Sequence, residues 1–188
     1  MGVELIYETR AVTTDDEAGL ATGWLPGRLS PQGRALAEHL GRRRRDDDLA
    51  AVFVSDLYRA VETAQIAFRG SAVPVFPDAR LRECNYGALN GAPTACLAPR
   101  RLDHLDEPFP GGESYRQVVT RTLAFLHDLT RGLNGRRVLV IAHSANRWAL
   151  EHLLHGRALA ELVTAPFDWR EGWLFRVPAG LAERRSCR

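Results

Sequence analysis

The stretch Arg137-Val138-Leu139-Val140-Ile141-Ala142-His143-Ser144 decides the fold. Val138 to Ala142 is unbroken apolar sequence, so it reads as a strand covered on both faces rather than one alternating between core and water. Ala145 to about Leu154 then carries residues suited to a helix. A buried strand running straight into a helix is the building unit of an α/β protein.

The same unit recurs upstream. Val3 to Tyr7 reads as a strand, and Ser30-Pro31 supplies a cap and a first-turn proline for a helix from Gly33 to Arg45. Leu49 to Val54 is a second buried strand, and Leu57 to Phe68 places Ala60, Val61, Ala64 and Ala67 at helical spacing. Val73 to Phe76 is a third short strand, followed by a Gly/Pro-rich irregular region from Arg80 to Gly112. A helix begins near Glu113 and runs to about Thr130, with Val118, Val119, Leu123, Phe125 and Leu126 on its apolar face, and Gly172 to Val177 is a last strand. The expected architecture is one domain over residues 1–188, a three-layer α/β/α sandwich around a mostly parallel sheet.

Composition excludes several chemistries. All 25 Lys+Arg residues are arginine, so Schiff-base enzymes, pyridoxal-phosphate enzymes and phosphate loops ending in lysine are ruled out. A formal charge of +2 gives no surplus for a dedicated nucleic-acid surface. No apolar run reaches the roughly 20 residues of a membrane span, and no signal peptide is evident. Three cysteines, Cys84, Cys96 and Cys187, show no metal-ligand spacing, so a cytoplasmic protein with free thiols is expected.

Two further clusters read as ordinary surface. Arg42 to Arg45 precede Asp46 to Asp48, which suggests a solvated, self-neutralising segment at a helix end. Glu151, His152 and His155 share a helix, but no third ligand with a recognisable motif accompanies the histidines, so no metal site is expected. Trp148, Trp169 and Trp173 read as core or interface packing rather than a stacking platform, and Tyr86 and Asn90 as turn residues, with substrate contact as the alternative.

Ligands of open α/β sheets bind beyond the carboxyl ends of the strands. The residues there are Glu8-Thr9-Arg10-Ala11, Ser55-Asp56-Leu57-Tyr58-Arg59 and His143-Ser144-Ala145-Asn146. Two arginines and a histidine beside free helix amides suit an anion, most naturally a phosphate ester. From spacing alone, Arg59 as a helix-surface residue and His143 as a hydrogen-bonded core residue stay open alternatives.

The order of several short motifs resembles the histidine phosphatase superfamily, which includes the cofactor-dependent phosphoglycerate mutases. The carriers are Gly23-Trp24-Leu25 with Leu29-Ser30 and Gly33-Arg34, then Ser55-Asp56-Leu57 with Arg59 and Thr63-Ala64. Leu81-Arg82-Glu83 with Gly87 and Asn90-Gly91 follows, then Gly111-Gly112-Glu113-Ser114 and the stretch ending in His143-Ser144. The resemblance covers almost the whole chain and implies a phosphoglycerate mutase-like fold and a phosphorylated small-molecule ligand. It implies phosphoryl transfer onto a histidine after the first strand, with Arg59 clamping the phosphate, His143 stabilising the transferring group and Glu83 protonating the leaving oxygen. Thr13, Asp16, Thr22, Gly23 and Ser144 are the further expected phosphate or substrate contacts. Neither cofactor nor metal is implied, and the oligomeric state is not readable.

The departure lies at the centre. Family members have Thr or Ser three residues after the nucleophile, Asn six after, and Gly-Trp at thirteen and fourteen after. Counting back from Gly23-Trp24, and consistently from Thr13, the nucleophile position holds Arg10, with Thr9 and Ala11 beside it and Asp16 at the amide position. A guanidinium has no usable lone pair at neutral pH and cannot accept a phosphoryl group as imidazole does. Three readings follow: an inactive natural or engineered phosphatase that still binds phosphate; a repurposed enzyme with Glu83 and His143 as acid and base and Arg10 and Arg59 as anion clamp; or a non-catalytic module that binds a phosphorylated metabolite. The first is the leading expectation.

Overall fold

The structure, a computed structural model, describes residues 2–166 and 168–181. In chain order the elements are β1 (Val3–Thr9), α1 (Thr14–Glu17), β2 (Leu20–Ala21), α2 (Pro31–Arg44), β3 (Ala51–Ser55), α3 (Tyr58–Ala67) and β4 (Val75–Asp78). There follow β5 (Ala92–Pro93), α4 (Thr94–Leu97), α5 (Tyr115–Gly132), β6 (Arg137–Ala142), α6 (Ser144–His155), α7 (Leu159–Thr164) and β7 (Trp173–Val177).

The sheet runs β4-β3-β6-β1-β7, parallel except for β7, which pairs antiparallel with β1. Strand side chains alternate between faces, and both faces here are covered. Leu5, Tyr7, Val138, Val140 and Ala142 pack with Phe125, Leu126 and Leu129 of α5 and Leu150 of α6. Ile6, Val52, Val54, Leu139 and Ile141 pack on the other side with Leu40 of α2 and Ala60, Ala64 and Ala67 of α3. The chain is thus a single α/β domain with a mostly parallel five-stranded sheet between helices.

Capping sets the long helices. Ser30 accepts from the Gly33 amide at 3.1 Å with Pro31 in the first turn, and Ser114 and Gln117 form a reciprocal capping box that starts α5 at Tyr115. Elements too short for periodicity were not anticipated: α7, α1 and the β2-β5 ribbon, the last lying partly within the region expected to be irregular. β4 sits two residues later than expected because it is an edge strand paired only with β3, where Pro77 costs no ladder bond and Phe76 stays exposed.

The arginine run departs from its expected role. Arg43 Nη1 and Arg44 Nε reach Glu8 on β1 at 2.9 and 2.8 Å, and Arg45 donates to the carbonyls of Ala67 and Ile66. Only Arg44 to Asp47, at 3.1 Å, is the local neutralisation that the sequence suggested. Glu8 is buried, so the segment anchors α2 to the sheet instead of lying in solvent.

Candidate functional site

The carboxyl ends of β1 and β6, with Arg59 of the α3 that follows β3, line a cavity of about 470 Å³. Because β1 and β6 are paired with Thr9 opposite Ala142, the next residues, Arg10 and His143, emerge side by side. The Arg10 amide donates to the Ala142 carbonyl at 2.9 Å, which extends this pairing to the edge of the cavity.

The Arg10 guanidinium pairs with Asp16 through both terminal nitrogens, Nη2 to Oδ1 at 2.8 Å and Nη1 to Oδ2. Asp16 also accepts from the amide and hydroxyl of Thr13 at 2.7 and 2.8 Å, while Thr13 Oγ1 caps α1. Burial by itself would raise the Asp16 carboxyl, but Arg10 and Thr13 outweigh it and hold the group below its ordinary 3.8. Thr13 is fully buried and absent from the cavity wall, so it acts through this cap.

Arg59 is 1% exposed. It donates to the carbonyls of Gly23 at 2.6 Å and Leu25 at 3.1 Å, and its Nε has no hydrogen-bond partner among the described residues. Burial, then the neighbouring Arg10, pulls its guanidinium down to about 10. Gly23 has φ +54, and a Cβ there would overlap Asn90 Oδ1. A glycine therefore lets this turn close against Asn90 while its carbonyl accepts from Arg59. Asn90 itself accepts from the Tyr86 amide at 3.0 Å and ties the adjoining turn together.

His143 precedes α6 and is buried, with both ring nitrogens lacking partners among the described residues. Burial first, then Arg59, Arg10 and Arg121, push its imidazole well below 6.5, so it is neutral at pH 7. A group with a depressed folded-state value stabilises the fold fully above its unfolded value and less as pH falls below it. His143 is therefore expected to remove up to about 1.4 kcal/mol of stability per pH unit below about 6.5. Urea unfolding midpoints between about pH 5 and 7.5 measure this, and His143→Asn is expected to flatten the profile by one proton. An unchanged slope in that variant would assign the acid sensitivity elsewhere.

Glu83 is held by one oxygen. Its Oε1 accepts from the amides of Cys84 at 2.8 Å and Ala145 at 3.2 Å, and its main-chain carbonyl accepts from Trp24 Nε1 at 2.7 Å. Oε2 has no hydrogen bond among the described residues, which leaves a carboxylate with one fixed and one available oxygen beside the α6 amino terminus. Cys84 is buried, and burial followed by Glu83 raises its thiol far above the ordinary range, so it is not a nucleophile. Cys187 lies outside the described residues.

The cavity wall thus gathers Arg10, Asp16, Thr22, Gly23, Arg59, Glu83, His143 and Ser144. Thr22 spends its hydroxyl on Asp15 at 2.8 Å. The wall also contains Tyr86, whose alternative reading was substrate contact, and residues that the sequence did not single out for it, among them Arg101 and Trp148. Trp148 is packed as expected, and Trp169 is half exposed at this wall, so it is not part of the core. The lining from Thr94, Leu97 and Arg101 comes from the segment between β4 and α5, whose lack of periodicity hid its fold.

Elsewhere, His155 pairs with Glu151 at 2.9 Å and His152 faces the Arg157 carbonyl at 2.8 Å. No group of three or more His, Cys, Asp or Glu able to hold a metal occurs among the described residues, and none of their helices is long and apolar enough to cross a membrane.

Fold and site together define a doubly covered α/β protein with a buried, arginine- and histidine-lined pocket at its strand ends. Comparison with known proteins gives the family. The histidine phosphatase superfamily (branch 1) matches residues 9–168, and the chain belongs to that superfamily. It is 34% identical over 153 residues to a 2,3-bisphosphoglycerate-dependent phosphoglycerate mutase of Methylobacterium sp. strain 4-46, covering 73% of each chain. A mutase of the same description from Cytophaga hutchinsonii is 31% identical over 144 residues, which cover 70% of this chain and 67% of that one. Among solved structures, Bacillus stearothermophilus YhfR superposes with a TM-score of 0.78 at 26% identity, over 90% of this chain and 88% of that one. A mycobacterial glucosyl-3-phosphoglycerate phosphatase in complex with VO3 gives 0.73 at 27% identity, over 87% of each.

Proposed function

We propose that this chain binds a phosphorylated small molecule and hydrolyses it weakly or not at all, because Arg10 stands where the family carries its phospho-accepting histidine. The observation that carries the binding half is a set of unused buried groups. Both nitrogens of His143 and the Nε of Arg59 are buried without partners at one cavity, and buried polar groups are rarely left unsatisfied. A phosphate oxygen accepts from the Arg59 fork and from a neutral His143 N–H, and the amide end of α6 favours its charge. The mutases and the phosphatase named above have phosphorylated small molecules in their names, which supports the same broad ligand class here.

The hydrolytic half rests on chemistry. Arg10 is a permanent cation engaged by both oxygens of Asp16, with no lone pair to attack phosphorus. None of the other groups assigned to the pocket takes over the attack: His143 and Glu83 are the charge-stabilising and proton-donating groups of the family scheme.

A repurposed enzyme is the second reading, and the Arg10–Asp16 pair favours it. Asp16 replaces the family's amide at the position that seats Arg10, so the arginine is built into the site by a matching carboxylate. Glu83 and His143 would then serve as acid and base for an anionic substrate held by Arg10 and Arg59.

The protein as it stands is expected to show negligible p-nitrophenyl phosphate turnover and to bind phosphate or vanadate in calorimetry. Arg59→Ala is expected to weaken that binding by about tenfold or more. Substantial turnover with Arg10 in place refutes the hydrolytic half; no heat with either anion refutes the binding half.

A further inference from the structure

Between α2 and the end of β1 the cavity has an arm whose charged side chains already pair with one another. Glu8, two residues before Arg10 and about 7 Å from it along an extended strand, accepts from Arg43 Nη1 at 2.9 Å and from Arg44 Nε at 2.8 Å. Arg44 also donates to the Glu171 carbonyl at 2.8 Å, and the Glu171 carboxylate stands 3.9 Å from both Arg43 Nε and His39 Nδ1.

What remains there to meet a ligand is apolar and aromatic. Leu36, Leu40 and Arg43 share one face of α2, by their spacing of four and three, and all three line the cavity. Trp169 lines it from the connection between α7 and β7 and is 52% exposed. Two observations place that connection beside the strand ends. Trp173 of β7 is paired antiparallel with Tyr7 of β1, so the residues preceding Trp173 run alongside those that follow Tyr7. The bond from Arg44 to the Glu171 carbonyl then fastens the connection to α2. Trp148 and Trp173 each make a ring and a cation contact, the first with Tyr115 and Arg101, the second with Tyr7 and Arg147. Trp169 makes neither among the described residues.

We infer that the phosphorylated ligand is an aromatic ester whose ring stacks on Trp169 over the Leu36–Leu40 face of α2. The inference rests on the phosphate-binding reading of the strand ends and adds to it the chemical class of the esterified group, with Trp169 as the residue that selects it. The phosphate stays with Arg59 and His143. A ring in the arm covers an indole that is otherwise half in water, and it needs no charge partner. An anionic group in the same place meets arginines that Glu8 has already neutralised. The spacer between phosphorus and ring bridges the roughly 7 Å that separates residues 10 and 8 on β1.

The test uses the intact chain and non-hydrolysable probes. Affinities are measured by calorimetry for inorganic phosphate and for ω-phenylalkylphosphonates of increasing spacer length, each matched to the ω-cyclohexylalkylphosphonate of equal length. The saturated ring keeps the bulk and removes the aromatic face. At the best spacer the phenyl compound is expected to bind about fivefold tighter than its cyclohexyl match; Trp169→Ala is expected to collapse that ratio to within about twofold, and Trp169→Phe to keep most of it. A wild-type protein that binds phosphate and the phosphonates but shows no phenyl preference at any spacer overturns this inference and leaves the phosphate site standing. The same follows if Trp169→Ala retains the preference. Failure to bind phosphate and every phosphonate overturns the underlying phosphate reading. The wild-type comparison decides even if a variant misfolds.

Discussion

Replacing Arg10 by histidine is expected to switch on phosphate ester hydrolysis, by about a hundredfold or more over the wild-type rate with p-nitrophenyl phosphate. The backbone at residue 10 is already fixed by its bond to Ala142 beside His143, so an imidazole there starts from an ordered main chain. Arg59, with no carboxylate pair, favours the neutral form of a neighbouring histidine and binds the incoming phosphoryl oxygens. Neutral imidazole has the lone pair that guanidinium lacks. Asp16 works against the gain, because its carboxylate favours imidazolium and repels a phosphate dianion. Arg10→His with Asp16→Asn is therefore expected to exceed Arg10→His alone, by about tenfold for removal of that one charge. Steady-state turnover and trapping of an acid-labile phosphohistidine read the outcome. If the double variant binds phosphate yet remains inert, the site is not an arrested phosphatase, and the repurposed reading takes its place.

The second large effect falls on stability. Gly33→Ala in α2 is expected to destabilise the fold by about 2–3 kcal/mol, although alanine is the better helix former by about 1 kcal/mol. A Cβ at Gly33 would overlap the Val12 carbonyl oxygen and stand 2.9 Å from its carbon. That carbonyl accepts from the Ser30 amide at 3.1 Å, so helix and loop cannot separate without stretching this bond at the residue that caps α2. Val12 also lies between Ala11 and Thr13, and moving it disturbs the Thr13–Asp16 box that seats Arg10. Urea unfolding is expected to show the loss, and phosphate affinity is expected to fall with it. A Gly33→Ala protein more stable than wild type would show that the close approach relaxes at no cost, and with it the coupling between α2 and the site would be lost.

The strands and long helices were legible because they are set by local properties: the unbroken apolar run of β6, the alanines of α3 at helical spacing, and the caps at Ser30 and Ser114. The strand-end residues were legible for the same reason, since a parallel sheet delivers whatever follows each strand to one edge. Motif order added the family, and it is the basis on which the proposed function sets Arg10 at the nucleophile position. The segment from Arg80 to Gly112 was opaque because its turns and single-turn helices have no period, so Arg101 gave no sign of reaching the pocket and Tyr86 was read first as a turn residue.

What the sequence by itself determined is therefore the α/β architecture, the absence of lysine chemistry, and the arrival of Arg10, Arg59 and His143 at one edge of the sheet, with Glu83 added only by the family resemblance. Which charges remain to meet a ligand was decided only by the tertiary structure. Arg43 and Arg44 leave an apparently self-neutralising surface run to reach Glu8, Asp16 takes Arg10, and Arg59 and Arg101 are left without carboxylates. The physical reason is that periodicity and capping act over a few neighbouring residues, whereas an ion pair forms wherever folding brings two side chains within a few ångströms, as with residues 8 and 43 here.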